Sequence, residues 1–184
     1  MILRLTFLMA LSFISHNANA TNEVNNGRLV LSSKVSQAIE ALDSSARIFQ
    51  LNHFDQAVVE ASSSSPFFSK IDLNNDEIED FIVFGYNVNE KKAKVISIVS
   101  NDDKYNAYLL KEYTLTKNMF SENPIYVSSG TVRDFDGIRG SVAIIYEIEK
   151  TEHDGQTLVN YLGPLNFFYS RRNQMEPLLM GFDH

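Results

Sequence analysis

Apolar residues recur at helical spacing in the first third of the chain. Between residues 31 and 51 they stand three and four positions apart, as on one face of an α-helix. The residues of this stripe are Val35, Ala38, Ile39, Leu42, Ala46 and Phe49. The pattern predicts an N-terminal helical segment over 31–51, and residues 55–61 predict a short second helix. Ser62–Ser65 followed by Pro66 ends the helical pattern.

After Pro66 the apolar residues come in short runs that are typical of β-strands. Two turn segments, 87–92 and 101–104, separate the first three runs, which favours a meander of antiparallel hairpins. The three predicted strands are 81–86, 93–100 and 105–113. Further strands are predicted at 125–132, 142–149, 157–162 and 165–170, with a hairpin turn at Glu152–Gly155.

A helical run followed by a run of strands favours the α+β class, with an N-terminal helical segment and then a mostly antiparallel β-sheet. No linker divides the chain, so residues 21–184 are predicted to form a single domain. The polar residues 21–28 are predicted to be disordered within it.

Residues 1–20 have the pattern of a secretory signal peptide. Arg4 supplies an early positive charge, Leu5–Ile14 is an apolar run too short to span a bilayer, and Ala18-Asn19-Ala20 fits a signal-peptidase site. Cleavage after Ala20 would leave 164 residues (184 − 20) and change the net charge from −7 to −8, because only Arg4 is lost from the charged residues. The chain has no cysteine, so it cannot use disulfides. We expect a bacterial periplasmic or secreted protein.

The acidic composition limits the classes of partner. A net charge of −8 disfavours nucleic acids and anionic membranes, and it suits metal cations or a basic protein partner in the cell envelope. The mature sequence contains no second long apolar segment, so no transmembrane segment is predicted there.

One loop contains a candidate metal-binding site. Asp72-Leu73-Asn74-Asn75-Asp76-Glu77-Ile78-Glu79-Asp80 places Asx side chains at alternate positions, and Ca²⁺ takes six to eight hard oxygen ligands. The predicted ligands are the side chains of Asp72, Asn74, Asp76 and Asp80 and the backbone carbonyl of Ile78. Mg²⁺ fits this set less well because it demands stricter octahedral geometry and more water. The same pattern is also typical of an Asx-rich turn that holds no ion.

The D-x-N-x-D-x-x-x-D pattern running into the apolar residues 81–86 resembles the calcium loops of FG-GAP/VCBS-type repeats. An EF-hand is excluded because Val83 stands where that loop needs Glu and a strand follows where it needs a helix. The resemblance covers residues 71–85 and implies the same four side-chain ligands. Glu77 replaces the family's glycine at the sixth position, where the backbone turns with positive φ, at a cost of about 1 kcal/mol.

A second acidic segment, Arg133–Gly140, precedes the strand predicted at 142–149. It contains Asp134 and Asp136, but Arg139 and Gly140 occupy the place of a closing acid. This segment is therefore interpreted as a turn.

The sequence indicates no catalytic residues. There is no cysteine nucleophile and no G-x-S-x-G motif, and His53, His153 and His184 have no metal-binding spacing. Abundant carboxylates leave a carboxylate-dependent hydrolase open.

The leading interpretation is therefore an exported, non-enzymatic binding protein with a structural calcium site. An alternative is a periplasmic inhibitor or immunity protein against a secreted hydrolase such as a lysozyme. Ser129-Gly130-Thr131-Val132-Arg133 partly resembles the S-G-x-x-Y loop of periplasmic lysozyme inhibitors, with Arg133 in place of Tyr.

Overall fold

The computed structural model describes residues 22–54, 56, 59, 65–116, 125–135, 138–153, 156–170 and 172–178. In these ranges the chain forms strands, a ten-residue α-helix and a short 3₁₀ turn at Leu51–His53, and the isolated described residues 56 and 59 are also helical. The elements are β1 (Glu23–Asn25), β2 (Arg28–Val30), α1 (Ser33–Leu42), β3 (Arg47–Ile48), β4 (Phe68–Ile71), β5 (Asp80–Asn87), β6 (Lys92–Asn101), β7 (Lys104–Thr114), β8 (Ile125–Phe135), β9 (Ile138–His153), β10 (Gln156–Tyr169) and β11 (Met175–Leu178).

The strands form two main antiparallel sheets. In the first sheet β5, β6 and β7 are neighbours in that order, and β3 and β4 pair with opposite halves of the free edge of β5. The second sheet has the order β11-β10-β9-β8. Strands β1 and β2 form a separate two-stranded sheet, a small hairpin. The predicted mostly antiparallel architecture is confirmed, and so is the β5-β6-β7 meander.

The helical segment is much shorter than the predicted span 31–51. Helix α1 begins after Ser32, whose side chain accepts a hydrogen bond from the Val35 amide, and it ends at Asp43, which has extended backbone angles. Asp43 Oδ1 accepts a hydrogen bond from the amide of Ser45, so the side chain competes with the helix for backbone donors. The helix therefore stops before Phe49, which packs against Phe84 instead.

The segment predicted to be disordered, 21–28, is largely a β-hairpin in the structure. Strands β1 and β2 are joined by Asn26 and Gly27, whose φ angles are +49° and +74°. This Asn-Gly pair supplies the two positive-φ positions that a two-residue hairpin turn needs. The helical segment predicted over 31–51 is thus a ten-residue helix that follows a hairpin. Of the predicted second helix at 55–61, the structure describes only Gln56 and Val59, both of which are helical.

The C-terminal half has fewer and longer strands than the sequence predicts. The separate strands predicted at 157–162 and 165–170 are one strand, β10, with an irregular register between Tyr161 and Pro164. Proline lacks the N–H that regular pairing uses, which explains why the ladder is interrupted there without ending. The short strands β4 and β11 were not predicted, because four residues carry too little pattern.

Strand β5 lies at the centre of the core. Its five residues after Asp80 are buried, and Phe81, Ile82, Val83 and Phe84 have no exposed surface. Gly85 completes the strand where β3 approaches most closely. A methyl group on residue 85 would lie 2.7 Å from the carbonyl oxygen of Arg47, so only glycine allows β3 to pair at this register.

The first sheet is covered on both faces. Tyr113 pairs with Ala93 and donates a hydrogen bond of 2.6 Å to Glu147 of β9, which places the second sheet on this face. Lys94, the next residue along β6, therefore points to the opposite face. There its ammonium group contacts the carboxylate of Asp43, at the C-terminal end of α1, at 2.8 Å.

The two sheets meet where β8 runs beside β4. The amide of Val127 donates to the carbonyl of Pro66 at 2.9 Å, and the hydroxyl of Ser69 donates to that of Ser129 at 2.8 Å. Buried residues of both sheets belong to one hydrophobic cluster. No helix in the described ranges is long and apolar enough to cross a membrane.

We predict that Asp43→Asn lowers the free energy of unfolding by about 1–3 kcal/mol at pH 7, because the largely buried Lys94 loses a charged partner. The hydrogen bond from Lys94 holds the pKa of Asp43 below its ordinary value of 3.8. The stabilisation is therefore present above that value and is lost as the pH falls through the folded-state pKa. Denaturant unfolding at pH 7 and near pH 3 should show the gap between wild type and variant closing in acid.

The matched control is Glu112→Gln, which removes the solvent-exposed ion pair of Glu112 with Lys92. Solvent screens this pair, so its loss should change stability much less. If both substitutions lowered the free energy of unfolding equally, the buried ion pair of Asp43 would contribute no more than the exposed one.

Candidate functional site: the acidic loop between β4 and β5

The acidic loop, Asp72–Glu79, connects the end of β4 to the start of β5. Its outer part, residues 75–79, is exposed, whereas Leu73 is buried and anchors the loop on the core. Asn75 and Glu77 both have positive φ angles, +60° and +66°. The left-handed conformation that the resemblance to FG-GAP/VCBS-type loops implies at the sixth position is therefore present, although a glutamate occupies it.

Side-chain oxygens near the start of the loop converge on the same backbone amides. The amide of Asp76 donates to both Asp72 Oδ1 and Asn74 Oδ1, each at 3.2 Å. The amide of Glu77 donates to Asp72 Oδ2 at 3.0 Å, and that of Ile78 to Asp76 Oδ1 at 2.9 Å. The structure thus brings three of the predicted side-chain ligands, Asp72, Asn74 and Asp76, into one small region.

Ser100, at the end of β6, fastens the acidic loop to the first sheet. Its hydroxyl donates to Asp76 Oδ2 at 2.6 Å, and its carbonyl accepts from the side-chain amide of Asn74 at 2.9 Å. The spacing of residues within the loop does not predict Ser100 as a contact. It could be predicted only from the antiparallel pairing of β5 with β6, which brings the end of β6 next to the start of β5 and therefore next to the acidic loop.

Asp80 points inward and is held differently from the other candidate ligands. It has no exposed surface, and its two carboxylate oxygens accept hydrogen bonds of 2.7 Å from the amides of Leu73 and Ser100. Burial raises the pKa of Asp80 above its ordinary value, against the opposing effect of these hydrogen bonds.

The acidic loop is a region of negative potential. Burial raises the pKa of Tyr105, and the negative charges of Asp80, Glu79 and Asp76 raise it further. At Asp76 partial desolvation opposes ionisation, but hydrogen bonds from Ser100, Ile78 and Asn74 outweigh it and lower the pKa. Asp76 therefore remains ionised at neutral pH, as a cation ligand must.

The donor chemistry of the acidic loop suits a hard cation. Its candidate ligands offer carboxylate, amide and carbonyl oxygens and neither nitrogen nor sulfur, which matches Ca²⁺ rather than Zn²⁺. Within the described ranges no three His, Asp or Glu side chains are grouped as metal ligands. The candidate ligands of the loop include the Asn74 side chain and the Ile78 carbonyl beside the three aspartates Asp72, Asp76 and Asp80.

The second acidic segment lies beside the first. Strand β8 runs to Phe135, which pairs with Ile138 of β9, so the chain reverses there. Residues 136 and 137 lie outside the described ranges. A methyl group on Gly140 would stand 3.7 Å from the side-chain nitrogen of Asn75, which places the acidic loop next to the start of β9.

The remaining sequence candidates are distributed over the molecule. His53 is exposed, and its Nδ1 atom accepts a hydrogen bond from the amide of Gln50 at 2.9 Å. His184 lies outside the described ranges, and His153 ends β9. The segment Ser129–Arg133, which resembled an inhibitor loop, lies within β8 and pairs with β9 instead of forming a loop.

Comparisons with known proteins add no relative. No protein-family model matches the chain, and searches of curated proteins and of solved structures find no match.

We predict that Glu77→Gly is more stable than Glu77→Ala by about 1 kcal/mol, because alanine keeps the cost of positive φ and glycine does not. Both substitutions remove the same charge, so the comparison isolates the backbone. Denaturant unfolding of the two variants measures the difference. Equal stability, or a more stable alanine variant, would contradict the left-handed conformation at residue 77.

Proposed function

We propose that this chain is an exported, non-enzymatic binding protein whose acidic loop takes up Ca²⁺ as a structural ion. The observation that carries the calcium proposal is the clustering of three side chains: Asp72 Oδ1 and Asn74 Oδ1 both accept from the Asp76 amide, and Asp76 Oδ1 accepts from the nearby Ile78 amide. Ile78, through its carbonyl, and Asp80 complete the set of residues that would hold the ion. Export to the periplasm or beyond is supported by the signal-peptide pattern of residues 1–20.

Electrostatics supports cation uptake by the acidic loop. Like charges held close together repel one another, and a divalent cation among them converts this repulsion into attraction. Lys70 is ion-paired with Glu79 at 3.1 Å, but both side chains are exposed and solvent weakens the pair. The hard cation would therefore supply the charge compensation that Asp72, Asp76 and Asp80 lack among the described lysines and arginines.

The ion would act on the fold through Ser100. Because Asp76 and Asn74 already contact this residue, a cation on the acidic loop would stiffen the connection between the β4–β5 loop and the end of β6. In a chain without cysteine, such a link takes the place of a covalent cross-link. This is a stabilising role, and binding of a basic protein partner in the envelope would use the rigid surface that results.

The alternative of a lysozyme-type inhibitor gains no support from Ser129–Arg133. That segment lies within β8, and Ser129 donates a hydrogen bond to the Lys70 carbonyl at 3.3 Å. A residue committed to joining two sheets is poorly suited to insert into an enzyme cleft.

The decisive experiment is calorimetric titration of Ca²⁺ into chelator-treated protein, with melting curves at each concentration. We expect saturable binding and a stability gain of about 2.7 kcal/mol at a hundredfold excess of free ion over Kd. Asp76→Asn removes one ionised ligand and should abolish most of both effects.

The control is Asp103→Asn, which removes one negative charge from the neighbouring exposed turn between β6 and β7. This variant should bind Ca²⁺ like the wild type. Absence of a calcium response in the wild type would reduce the acidic loop to an Asx-rich turn. An equal loss in both variants would mean that Ca²⁺ only screens the net negative charge.

A further inference from the structure

A basic groove lies between β2, β3 and the 3₁₀ turn, at the end of β5 farthest from the acidic loop. It consists of two cavities of about 670 and 460 Å³ that share Arg28, Gln50 and His53 among their lining residues. The larger cavity adds Asn26 and Asn52, and the smaller one adds Arg47, Ile48 and Tyr86.

The walls of the groove are fixed by hydrogen bonds. Gln50 Oε1 accepts from the amide of Leu29 in β2 at 3.0 Å, and Gln50 Nε2 donates to the carbonyl of Ile48 in β3 at 3.1 Å. The amide of Leu51 donates to the carbonyl of Gly27 at 3.0 Å. One side chain therefore clamps the β1–β2 hairpin to β3, and the groove between them is preformed.

The charge of the groove is opposite to that of the protein. Two guanidinium groups, Arg28 and Arg47, and the imidazole of His53 line it, and no aspartate or glutamate is among its described lining residues. In the part of the chain that the structure describes, neither arginine has a carboxylate partner within 4 Å. On a chain with net charge −7, this concentration of free basic groups is unexpected.

An aromatic surface lies beside these charges. Tyr86 lines the smaller cavity, and its ring stacks on Phe49 with 4.7 Å between centroids. His53 contacts the same two rings, at 6.0 Å from Tyr86 and 5.5 Å from Phe49. The rings support one another, so the groove presents a preorganised flat apolar surface next to cationic donors.

We propose that this groove binds a small ligand that joins an oxyanion, either carboxylate or phosphate, to a flat or apolar ring. Arg28 and Arg47 take the oxyanion, since guanidinium donors match the geometry of both groups. Tyr86, which shares a sheet face with Arg47, takes the ring. The amide side chains of Asn26 and Asn52 in the larger cavity select for further polar groups on the ligand.

The proposal is independent of the calcium loop. Arg47 pairs with Tyr86 near the C-terminal end of β5, whereas Asp80 begins that strand. Six residues of extended chain separate the two sites by about 20 Å. Loss of calcium binding therefore leaves the groove unchanged, and the two proposals fail separately.

The test is a titration of the full chain, followed by NMR, with four probes: benzoate, phenyl phosphate, inorganic phosphate and uncharged benzyl alcohol. We expect saturable shifts of the groove residues with benzoate, phenyl phosphate or both, and the stronger of the two identifies the oxyanion. Inorganic phosphate carries the oxyanion without a ring, and benzyl alcohol carries the ring without an oxyanion. Each should therefore bind at least about tenfold more weakly than the stronger aromatic anion.

Arg28→Gln and Arg47→Gln should each weaken binding by about tenfold or more, because each removes a charge-assisted contact. Arg172→Gln is the control, since Arg172 is exposed and lies in the β10–β11 turn. It should leave the affinity unchanged.

Two results would overturn the proposal. One is the absence of saturable shifts for both aromatic anions in the wild type, which needs no folded variant. The other is a shift map centred outside the groove, or an equal loss in Arg172→Gln, either of which would mean non-specific attraction of anions.

Discussion

The structure depends on strand β5, which is hydrogen-bonded along both edges and covered on both faces. Its apolar residues from Phe81 to Phe84 are fully buried, and β3, β4 and β6 all pair with it. At about 25 cal/mol per Å² of apolar surface, this strand contributes a large share of the hydrophobic stabilisation. Both candidate sites are anchored on its ends, the acidic loop on Asp80 and the basic groove beside Tyr86.

Local patterns in the sequence were sufficient to predict the strands of the meander. Strand β5 is an apolar run, β6 is rich in valine and isoleucine, β7 is rich in tyrosine and leucine, and turn residues separate the three, so their pattern needs no tertiary information. The helix was overestimated because Ala46 and Phe49 continue its apolar stripe although they serve the sheet. The spacing of apolar residues does not show where a helix ends. The end of α1 is set by Asp43, whose side chain accepts a hydrogen bond from the Ser45 amide.

The two candidate sites differed in how far the sequence could predict them. The acidic loop is contiguous, so the spacing of Asp72, Asn74 and Asp76 along the chain is sufficient to predict that they lie together. Ser100 and the burial of Asp80 depend on the pairing of β5 with β6, which spacing within the loop does not record. The basic groove joins Arg28, Arg47 and Tyr86 from three separate strands, and no local motif connects them.

The close approach of β3 to Gly85 has a consequence for recognising related chains. A side chain at residue 85 would push β3 outward and carry Arg47 away from Tyr86, while the meander could survive almost intact. Sequences that share the sheet would then divide into two groups, and glycine at this single buried position would mark the group that retains the groove. A residue with no side chain, remote from any ligand, would thus be the best sequence marker of a shared binding property.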